Sequence, residues 1–410
     1  MPEVLVVGSG TAGMAAAEEC SRRGLDVTVV DRLDGAGVPW AYWPDLLVPG
    51  VRLETTSCLS ARKSGLEPVF DTEVVTVRRG ETVTSEGAVI RARSVVLATG
   101  SRPGPTAVQG VRKAGSYVLD SPGRYSEFGS AASRADRVLV CGEGTRGFQV
   151  AERLSATGSR PSLVVSSWQS EEPSPPVLEV ISDAALERGI AVTKGRVDRV
   201  FGLSRAEAVT VGGRVVSCDA FAYVPRRVPA PVPLAAPPGR SGGILVDRLL
   251  RTREPGVYAV GGCAELEGSL PPLSTLGEEP RLSGRAAGAN AAGASVGISR
   301  VRCWSLAVLG LRWSRSGPGA KACRSLGMRV REAHGRQGSR AACTLVYEEA
   351  TGRVIGAEVV EPADSSSGGL CSWVPGSATL KSLAYGGLGS SDISMVSDTA
   401  RVGLASWSGY

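Results

Sequence analysis

The chain of 410 residues is 42% hydrophobic and 21% charged, which is enough apolar material for the cores of two or three globular domains. Its 46 Lys and Arg residues exceed its 40 Asp and Glu residues by six, and the excess is spread along the chain, which argues against nucleic-acid binding. No apolar run approaches the roughly 18 residues of a membrane span, and Glu3 and Gly8 argue against a signal peptide. The composition therefore predicts a soluble, cytoplasmic protein.

The histidine and cysteine contents argue against a metal centre. His334 is the only histidine. None of the nine cysteines belongs to a Cys-x-x-Cys pair, the spacing typical of zinc ribbons and thioredoxin-type dithiols. We therefore predict no bound metal and interpret most cysteines as small buried hydrophobic residues.

The first 31 residues follow the pattern of a dinucleotide-binding unit. A strand, a glycine-rich loop, a helix, a second strand and an acid are predicted in turn, at 4–7, Gly8-Ser9-Gly10-Thr11-Ala12-Gly13, 14–23, 26–30 and Asp31. A lone glycine motif is weak evidence, but this one lies between a strand and a helix and is followed by an acid at the expected distance. The order therefore predicts a Rossmann-type fold.

The loop residues have separate physical roles in such a fold. Gly8 permits a tight turn, Gly10 lets the backbone approach a pyrophosphate, and Gly13 lets the helix pack closely on the strand. The N-terminus of the helix offers unpaired N–H groups to the phosphates, and Asp31 can accept hydrogen bonds from a ribose. Together they predict a bound dinucleotide.

The same arrangement returns in the middle of the chain. The predicted elements are a strand at 138–141, the loop Gly142-Glu143-Gly144-Thr145-Arg146-Gly147, a helix that reaches Leu154 and a strand at 162–165. Two dinucleotide folds in one chain indicate two cofactors that face each other. The second strand leads into Ser166-Ser167 rather than an acid, and no Arg follows to hold a 2′-phosphate, so the sequence does not distinguish NADH from NADPH. A Rossmann-like domain kept without its ligand is the alternative.

Two further segments make the pattern specific. Val95 to Pro103 is a buried strand with an Ala-Thr-Gly turn, and Gly256 to Ala264 is another with the run Val-Tyr-Ala-Val-Gly, followed by a small-residue helix at 281–292. The order of these segments and the two glycine loops resembles the FAD-dependent pyridine nucleotide–disulfide oxidoreductases. NADH oxidases and coenzyme A-disulfide or persulfide reductases are the most similar subfamilies.

The resemblance implies an α/β protein with three domains. A Rossmann-like FAD domain (1–104 and 242–300) is split by an inserted Rossmann-like NAD(P)H domain (105–241), and a C-terminal α+β dimerisation domain follows (301–410). The implied FAD contacts are Gly8, Gly10, Thr11, Ala12, Gly13, Asp31, Thr99, Gly100, Gly261 and Gly262. The implied NAD(P)H contacts are Gly142, Gly144, Thr145 and Gly147. A hairpin with its turn at Thr351-Gly352 and closing helices at 380–385 and 392–393 are similar to the family's interface domain, which implies a homodimer.

The sequence departs from the family where a redox-active cysteine stands beside the flavin. The matching position is Ala36, which cannot form a thiolate or a mixed disulfide. The nearest cysteine is Cys58, whose strand-like neighbourhood favours a core position. The aromatic run Trp40-Ala41-Tyr42-Trp43 is open to two interpretations, a wall of the flavin site or ordinary packing.

Three more positions differ from the family. Thr145 and Gln149 stand where the family often has a Tyr gate and a Glu, and Gly262 replaces an Asp that holds a ribitol hydroxyl. The loss of one such charge-assisted hydrogen bond costs on the order of 1.5–3 kcal/mol of cofactor binding. These departures argue against disulfide reduction.

We therefore predict an FAD-dependent NAD(P)H oxidoreductase. Hydride passes from the nicotinamide to the flavin, and the electrons pass to an unidentified acceptor, for which O₂, a quinone, a dye or a redox protein fits a thiol-free site better than a disulfide does. No general acid or base is identified. The alternative is a catalytically degenerate flavoprotein that serves as a structural or regulatory subunit.

Overall fold

The computed structural model describes residues 2–33, 40–51, 66–78, 81–143, 145–167, 173–234, 236–268, 279–298, 303–365, 378–385 and 394–407. The chain divides into two compact units. The first contains Met1–Trp43, Arg52–Pro103 and Arg227–Arg300, and the second contains Pro44–Val51, Gly104–Arg226 and Val301–Tyr410. Both units combine helices with parallel sheets, so the predicted α/β class is confirmed. The limits of the three predicted domains stay a prediction.

The helices are α1 (Thr11–Arg22), α2 (Pro122–Ala132), α3 (Arg146–Ala156), α4 (Pro175–Glu187), α5 (Glu279–Ala291), α6 (Ala320–Ser325), α7 (Leu380–Tyr385) and α8 (Ser394–Trp407), with 3₁₀ segments at Trp40–Leu47 and Gly261–Cys263. The strands are β1 (Val4–Val7), β2 (Val27–Val30), β3 (Val74–Arg78), β4 (Glu81–Thr84), β5 (Val89–Arg91), β6 (Ser94–Leu97), β7 (Ser101–Pro103), β8 (Ser116–Val118), β9 (Val138–Glu143), β10 (Ser162–Ser167), β11 (Ala191–Lys194), β12 (Val197–Phe201), β13 (Ala208–Val211), β14 (Arg214–Ser217), β15 (Ala220–Val224), β16 (Arg227–Pro229), β17 (Ile244–Val246), β18 (Val257–Ala259), β19 (Ala264–Leu266), β20 (Cys303–Val308), β21 (Leu311–Ser316), β22 (Val330–Gln337), β23 (Ala341–Glu348) and β24 (Val354–Pro362). No helix among the described residues is long and apolar enough to cross a membrane.

The first unit is built on a four-stranded sheet in the order β18-β6-β1-β2, and every pair in it is parallel. All four residues of β1 are buried, as the unbroken apolar run Val-Leu-Val-Val predicts for a strand covered on both faces. Parallel strands present their carboxyl ends at one edge, and the loop 8–13 leaves the sheet there. The sheet thus positions the first glycine loop at its carboxyl edge.

Helix α5 packs on α1 through small residues. A side chain at Gly284 would collide with the carbonyl oxygen of Ala12, and one at Gly288 would collide with that of Ala16. The Cys20 thiol lies 3.4 Å from the carbonyl oxygen of Gly288, to which it donates. The predicted small-residue helix is therefore confirmed, and its glycines allow the two helices to approach closely.

A two-stranded antiparallel ribbon joins the segment that leaves the first unit to the segment that returns to it. Strands β7 and β16 pair with Arg102 opposite Val228, and the Thr99 hydroxyl donates to the carbonyl oxygen of Ala230 at 2.6 Å. The returning chain is therefore paired with β7 from Arg227 onward.

The second unit contains a parallel sheet in the order β11-β10-β9-β15-β8, with β9 at its centre. A three-stranded antiparallel sheet, β12-β13-β14, accompanies it. Its other large sheet is antiparallel, in the order β20-β21-β24-β23-β22, and packs on α7 and α8 through a core that includes Leu345, Tyr347 and Leu380. The Thr351-Gly352 turn lies between β23 and β24, so the predicted hairpin is confirmed. Helix α7 has the predicted bounds, whereas 392–393 lie outside the described residues.

A buried polar cluster links α4 to this antiparallel sheet inside the second unit. The Glu358 carboxylate accepts hydrogen bonds from the indole N–H of Trp313 at 2.7 Å, from Arg315 at 2.7 Å and from the backbone N–H of Ser174 at 2.9 Å. Arg315 and Glu358 are each 5% exposed at the side chain. A buried ion pair needs this many further donors because both charges have lost their hydration.

Candidate functional site

The first glycine loop is held in place by close contacts at two of its glycines. Gly8 has a φ of +106°, and a side chain there would collide with the carbonyl oxygen of Ala98. A side chain at Gly13 would collide with the carbonyl oxygen of Gly8. These contacts give Gly8 and Gly13 the turn and packing roles that the spacing predicts.

Gly10 is different because its surroundings are open. Among the described residues, apart from its chain neighbours, no atom lies within 4 Å of the place where its Cβ would be. Gly10 immediately precedes α1 with an extended backbone, and no side chain among the described residues caps the helix there. The first-turn N–H groups of α1, from Thr11 and Ala12 onward, are thus left for an anion, and a backbone approach is free at Gly10.

The Asp31 carboxylate lies against this loop. Its Oδ2 accepts hydrogen bonds from the backbone N–H of Ser9 at 2.6 Å and from the Ser9 hydroxyl at 2.7 Å, and its Oδ1 accepts one from the N–H of Leu33 at 3.1 Å. These bonds fix the carboxylate at the end of β2. An ionised carboxylate has about four acceptor positions, so one remains for a ribose hydroxyl.

The turn at Gly261-Gly262 lies beside the same loop. Gly261 has a φ of +65°, and a Cβ on it would lie 3.0 Å from the Cβ of Ala12. The preceding N–H of Val260 donates to the carbonyl oxygen of Leu97 at 2.9 Å, next to the turn that contains Thr99 and Gly100. The first unit therefore brings the predicted FAD residues together at the carboxyl edge of one sheet, with no carboxylate at position 262.

Six of the seven described cysteines are buried, and Cys303 is partly buried. The Cys263 thiol is buried 3.2 Å from the carbonyl oxygen of Val260, and burial raises its pKa. Burial likewise raises the pKa of Cys20 and Cys218 to about 11 each and that of Cys343 to about 12. A thiol becomes reactive as its thiolate, so these side chains are unreactive at neutral pH. Ala36 and Cys58 lie outside the described residues.

The second glycine loop shares the close packing of the first. A Cβ on Gly147 would lie 3.0 Å from the Cα of Gly142 and 3.0 Å from Cδ1 of Leu163. Gly144 lies outside the described residues. Thr145 is buried and immediately precedes α3, and the carbonyl oxygen Oε1 of Gln149 is buried without a hydrogen bond from any described group. This oxygen, which accepts no hydrogen bond from a described group, lies in the first turns of α3.

The sequence analysis did not predict the burial of Arg146 in the second glycine loop. Its side chain is buried at the start of α3, where burial lowers the pKa of the guanidinium to about 10 and the hydrogen bond with Tyr125 opposes that shift. The group therefore keeps its charge at neutral pH. No sequence pattern predicts this burial, because an Arg in the variable part of a glycine loop is normally expected to be exposed.

The aromatic segment is described in part. Residues 40–47 form a 3₁₀ segment, and the guanidinium carbon of Arg227 lies 5.5 Å from the ring centre of Trp43, within the range of a cation–π contact. The side chains of Trp40 and Tyr42 lie outside the described residues. In the described part of the chain, no group of three or more His, Cys, Asp and Glu side chains is placed to hold a metal ion.

Two parallel sheets that each carry a close-packed glycine loop at the carboxyl edge define a class of protein, the α/β oxidoreductases with two dinucleotide-type folds. The chain belongs to the pyridine nucleotide-disulphide oxidoreductase family, whose model matches residues 2–292. The predicted family is confirmed, and FAD and NAD(P)H are the cofactors of that family.

Individual relatives are distant. Rhodocoxin reductase of Rhodococcus erythropolis is 26% identical over 284 residues, which are 64% of this chain and 64% of that protein. A nitric oxide reductase FlRd-NAD(+) reductase of Vibrio vulnificus is 28% identical over 196 residues, 46% of this chain and 51% of that protein. The match thus spans about half to two thirds of these relatives.

Solved structures show the same fold. A NAD-dependent persulfide reductase from A. fulgidus is similar with a TM-score of 0.80 and 19% identity, over 99% of this chain and 84% of that one. The water-forming NADH oxidase from Lactobacillus brevis is similar with a TM-score of 0.79 and 16% identity, over 100% of this chain and 99% of that one.

Proposed function

We propose that this protein is an FAD-dependent NAD(P)H oxidoreductase whose electron acceptor is not a disulfide. The observation that carries the proposal is the first glycine loop, where an open backbone at Gly10, an uncapped helix and the Asp31 carboxylate lie together. That set fits the pyrophosphate and ribose of an adenine dinucleotide. The family supplies the reaction class.

The residues of the first unit would bind the pyrophosphate and adenosine ribose of FAD more strongly than its ribitol. The N–H groups at the start of α1 bind the pyrophosphate, and Asp31 accepts from the adenosine ribose. Gly262 supplies no carboxylate for the ribitol, which weakens binding by about 1.5–3 kcal/mol without abolishing it. FAD held by these residues would supply a hydride acceptor that can pass electrons on singly or in pairs.

The second unit would hold the nicotinamide nucleotide. Gly142 and Gly147 keep the turn tight enough for the backbone to reach a pyrophosphate. The buried Oε1 of Gln149 is available to accept a hydrogen bond from an amide donor on the ligand. Thr145 is smaller than the Tyr that often stands there in the family, so it covers less of the nicotinamide.

The proposed choice of electron acceptor rests on the chemistry of the cysteine thiols. Ala36 offers no redox sulfur, and burial raises the pKa of every described cysteine for which a shift is resolved. The rhodocoxin reductase and FlRd-NAD(+) reductase named above take their names from redox-protein acceptors. We therefore favour a redox protein, with O₂, a quinone or a dye as the other acceptors to test.

A steady-state assay tests this function. The purified protein with NADPH or NADH should reduce a dye, a quinone or a one-electron redox protein, and should leave glutathione disulfide and coenzyme A disulfide unchanged. Reduction of a disulfide at a rate equal to that of the dye would overturn the choice of acceptor. Absence of every activity from a flavin-containing protein would favour the alternative, a degenerate subunit, to which Ala36, Thr145, Gln149 and Gly262 together point.

We also propose a homodimer held by residues 301–410, in the cytoplasm. The antiparallel sheet and its two helices carry no ligand motif, and a paired interface of this kind buries more than about 2,000 Å². Sedimentation of the full-length chain at nanomolar concentration should give a dimer. A monomer, or a dimer of equal strength in a chain that ends at Ser299, would contradict this role of the C-terminal residues.

A further inference from the structure

A cavity of about 490 Å³, which we call the arginine cavity, lies at the amino edge of the second parallel sheet. Its walls are the start of β8, the residues just before β9 and β15, the end of α2 and the loop between β12 and β13. The second glycine loop lies at the opposite, carboxyl edge of this sheet. Gly142 follows Arg137 by five residues, which is about 17 Å at ~3.3 Å per residue of strand. The arginine cavity is therefore separate from the proposed nicotinamide site.

Arg137 is fixed in the wall of the arginine cavity by Asp219. Its Nη2 donates to Oδ1 of the carboxylate at 2.6 Å and its Nε donates to Oδ2 at 3.2 Å. The backbone N–H of Arg137 donates to the same Oδ2 at 2.9 Å. This paired contact fixes the orientation of the guanidinium and leaves three of its five N–H groups for another acceptor.

Asp219 also holds a second guanidinium, through its backbone. Nη2 of Arg205 donates to the carbonyl oxygen of Asp219 at 3.1 Å. Nε and Nη2 of Arg205 each lie 3.5 Å from the place where a Cβ on Gly115 would be, so the guanidinium lies over that glycine. A carbonyl oxygen carries no net charge, so this contact positions Arg205 without neutralising it.

The arginine cavity is positively charged. Three arginines, Arg134, Arg137 and Arg205, line it against two acids, Asp219 and Glu207, which leaves one net positive charge. The hydrogen bond from the Arg137 side chain, and to a smaller extent the charge of Arg205, lowers the pKa of Asp219 below its usual value. Asp219 is therefore ionised at neutral pH and is occupied by Arg137, so the free N–H groups of the cavity favour an anion from outside.

The shape and lining of the cavity favour an anion with an organic part. Ala131, Ala135 and Ala206 contribute small apolar surfaces, and the ring of Tyr117 lies 5.4 Å from that of Phe128. Small-molecule sites have volumes of about 300–1,000 Å³, so a bare inorganic anion would fill only part of this one. A phosphate group offers three terminal oxygens to guanidinium groups that come from separate elements, whereas a carboxylate offers two.

We propose that the arginine cavity binds a phosphorylated small molecule, with its phosphate on Arg134 and Arg205 and its organic part against Tyr117. The site is independent of the proposed function, because it involves neither glycine loop.

Calorimetric titration of the purified full-length protein in phosphate-free buffer tests the class of ligand. Ribose 5-phosphate is the probe, and ribose, inorganic phosphate and malonate are its comparisons. Ribose 5-phosphate should bind at least about fivefold more tightly than phosphate or malonate, and ribose should not bind. Absence of ribose 5-phosphate binding, or equal or tighter binding of malonate, would overturn the proposal.

Variants of opposite charge assign the binding to this cavity. Arg134→Ala and Arg205→Ala should each weaken ribose 5-phosphate about tenfold, and Glu207→Gln should strengthen it about threefold by removing a negative charge. Arg214→Ala, an exposed arginine of β14 outside the cavity lining, is the matched control and should change the affinity less than about twofold. Melting temperatures equal to that of the wild type exclude misfolding. An unchanged affinity in Arg205→Ala, or equal losses in Arg205→Ala and Arg214→Ala, would overturn the assignment.

Discussion

The two glycine loops share the close packing of their first and last glycines and differ in the side chains around them. In the first, Gly8 and Gly13 approach each other closely, and Asp31 lies over the loop with three hydrogen bonds. In the second, Gly142 and Gly147 also approach each other closely, but Val165, which pairs with Gly142, is a buried valine where the first loop has Asp31. Glycine spacing thus gives close packing in both loops, whereas the residue at the end of the second strand differs between them.

The start of the helix differs between the loops as well. Gly10 is open before α1, whereas Thr145 before α3 and Arg146 at the first position of α3 are buried. A buried cation at a helix N-terminus opposes the helix dipole, so the second loop gives up stability that the first keeps.

The largest expected effect separates two glycines of the first loop. Gly13→Val should destabilise the protein by more than about 4 kcal/mol, because its side chain collides with the Gly8 carbonyl. Gly10→Val should fold with a nearly unchanged melting temperature for the apoprotein but purify without flavin, because its side chain fills the space left for the pyrophosphate. Thermal unfolding and visible absorbance measure both. A Gly10→Val protein with a full complement of flavin would contradict the placement.

The second largest effect is expected from replacing Asp31, the acid at the end of β2 beside the first loop. Asp31→Ala removes the acceptor for Ser9 and for the ribose, and FAD affinity should fall about 10- to 100-fold. The paired change at the second loop, Val165→Ala, should leave FAD affinity unchanged. Fluorescence titration of the apoproteins with FAD gives both numbers. Equal losses in the two variants would show that the loops do not differ in ligand.

A gain of binding is expected from Gly262→Asp. The turn at Gly261-Gly262 lies beside the first loop and lacks the carboxylate that holds a ribitol hydroxyl in the family. Restoring it should raise FAD affinity about tenfold, since a charge-assisted hydrogen bond contributes about 1.5–3 kcal/mol. Gly261→Ala, at a φ of +65°, is the control in which strain should lower affinity. An unchanged affinity in Gly262→Asp would place the ribitol elsewhere.

The smallest expected effect is that of modifying the cysteine thiols on the rate of dye reduction. Burial raises the pKa of Cys20 and Cys218 to about 11, so near pH 8 only about one molecule in a thousand carries either thiolate. The thiolate fraction rises as the pH approaches 11, so alkylation should become faster there. Alkylation at neutral pH, or Cys58→Ser, should leave dye reduction within twofold. A loss of more than tenfold with flavin retained would identify a catalytic thiol.

The sequence predicted well those elements whose parts are adjacent in the chain. The order from β1 to Asp31 is confirmed because strand, loop, helix and acid follow one another within 31 residues. The hairpin at Thr351-Gly352 is confirmed for the same reason, since a turn residue and alternating strands are adjacent in the chain.

What the sequence did not predict depends on non-local packing. The β7–β16 ribbon joins Arg102 to Val228, and no motif marks that pairing. The correspondence of Val165 to Asp31 appears only once the register of β9 and β10 is known. Arg146 is hydrogen-bonded to Tyr125 of α2, a partner that lies in a different element and that no local pattern indicates.

The proposed function requires a flavin at the first loop that a nucleotide at the second loop reduces. Anaerobic titration of the purified full-length protein with NADPH, followed by flavin absorbance, measures that reduction. We expect a yellow protein that bleaches with about one equivalent of NADPH per flavin, since a hydride carries the two electrons that a flavin accepts. A yellow protein whose absorbance stays unchanged in excess NADPH and in excess NADH would contradict it.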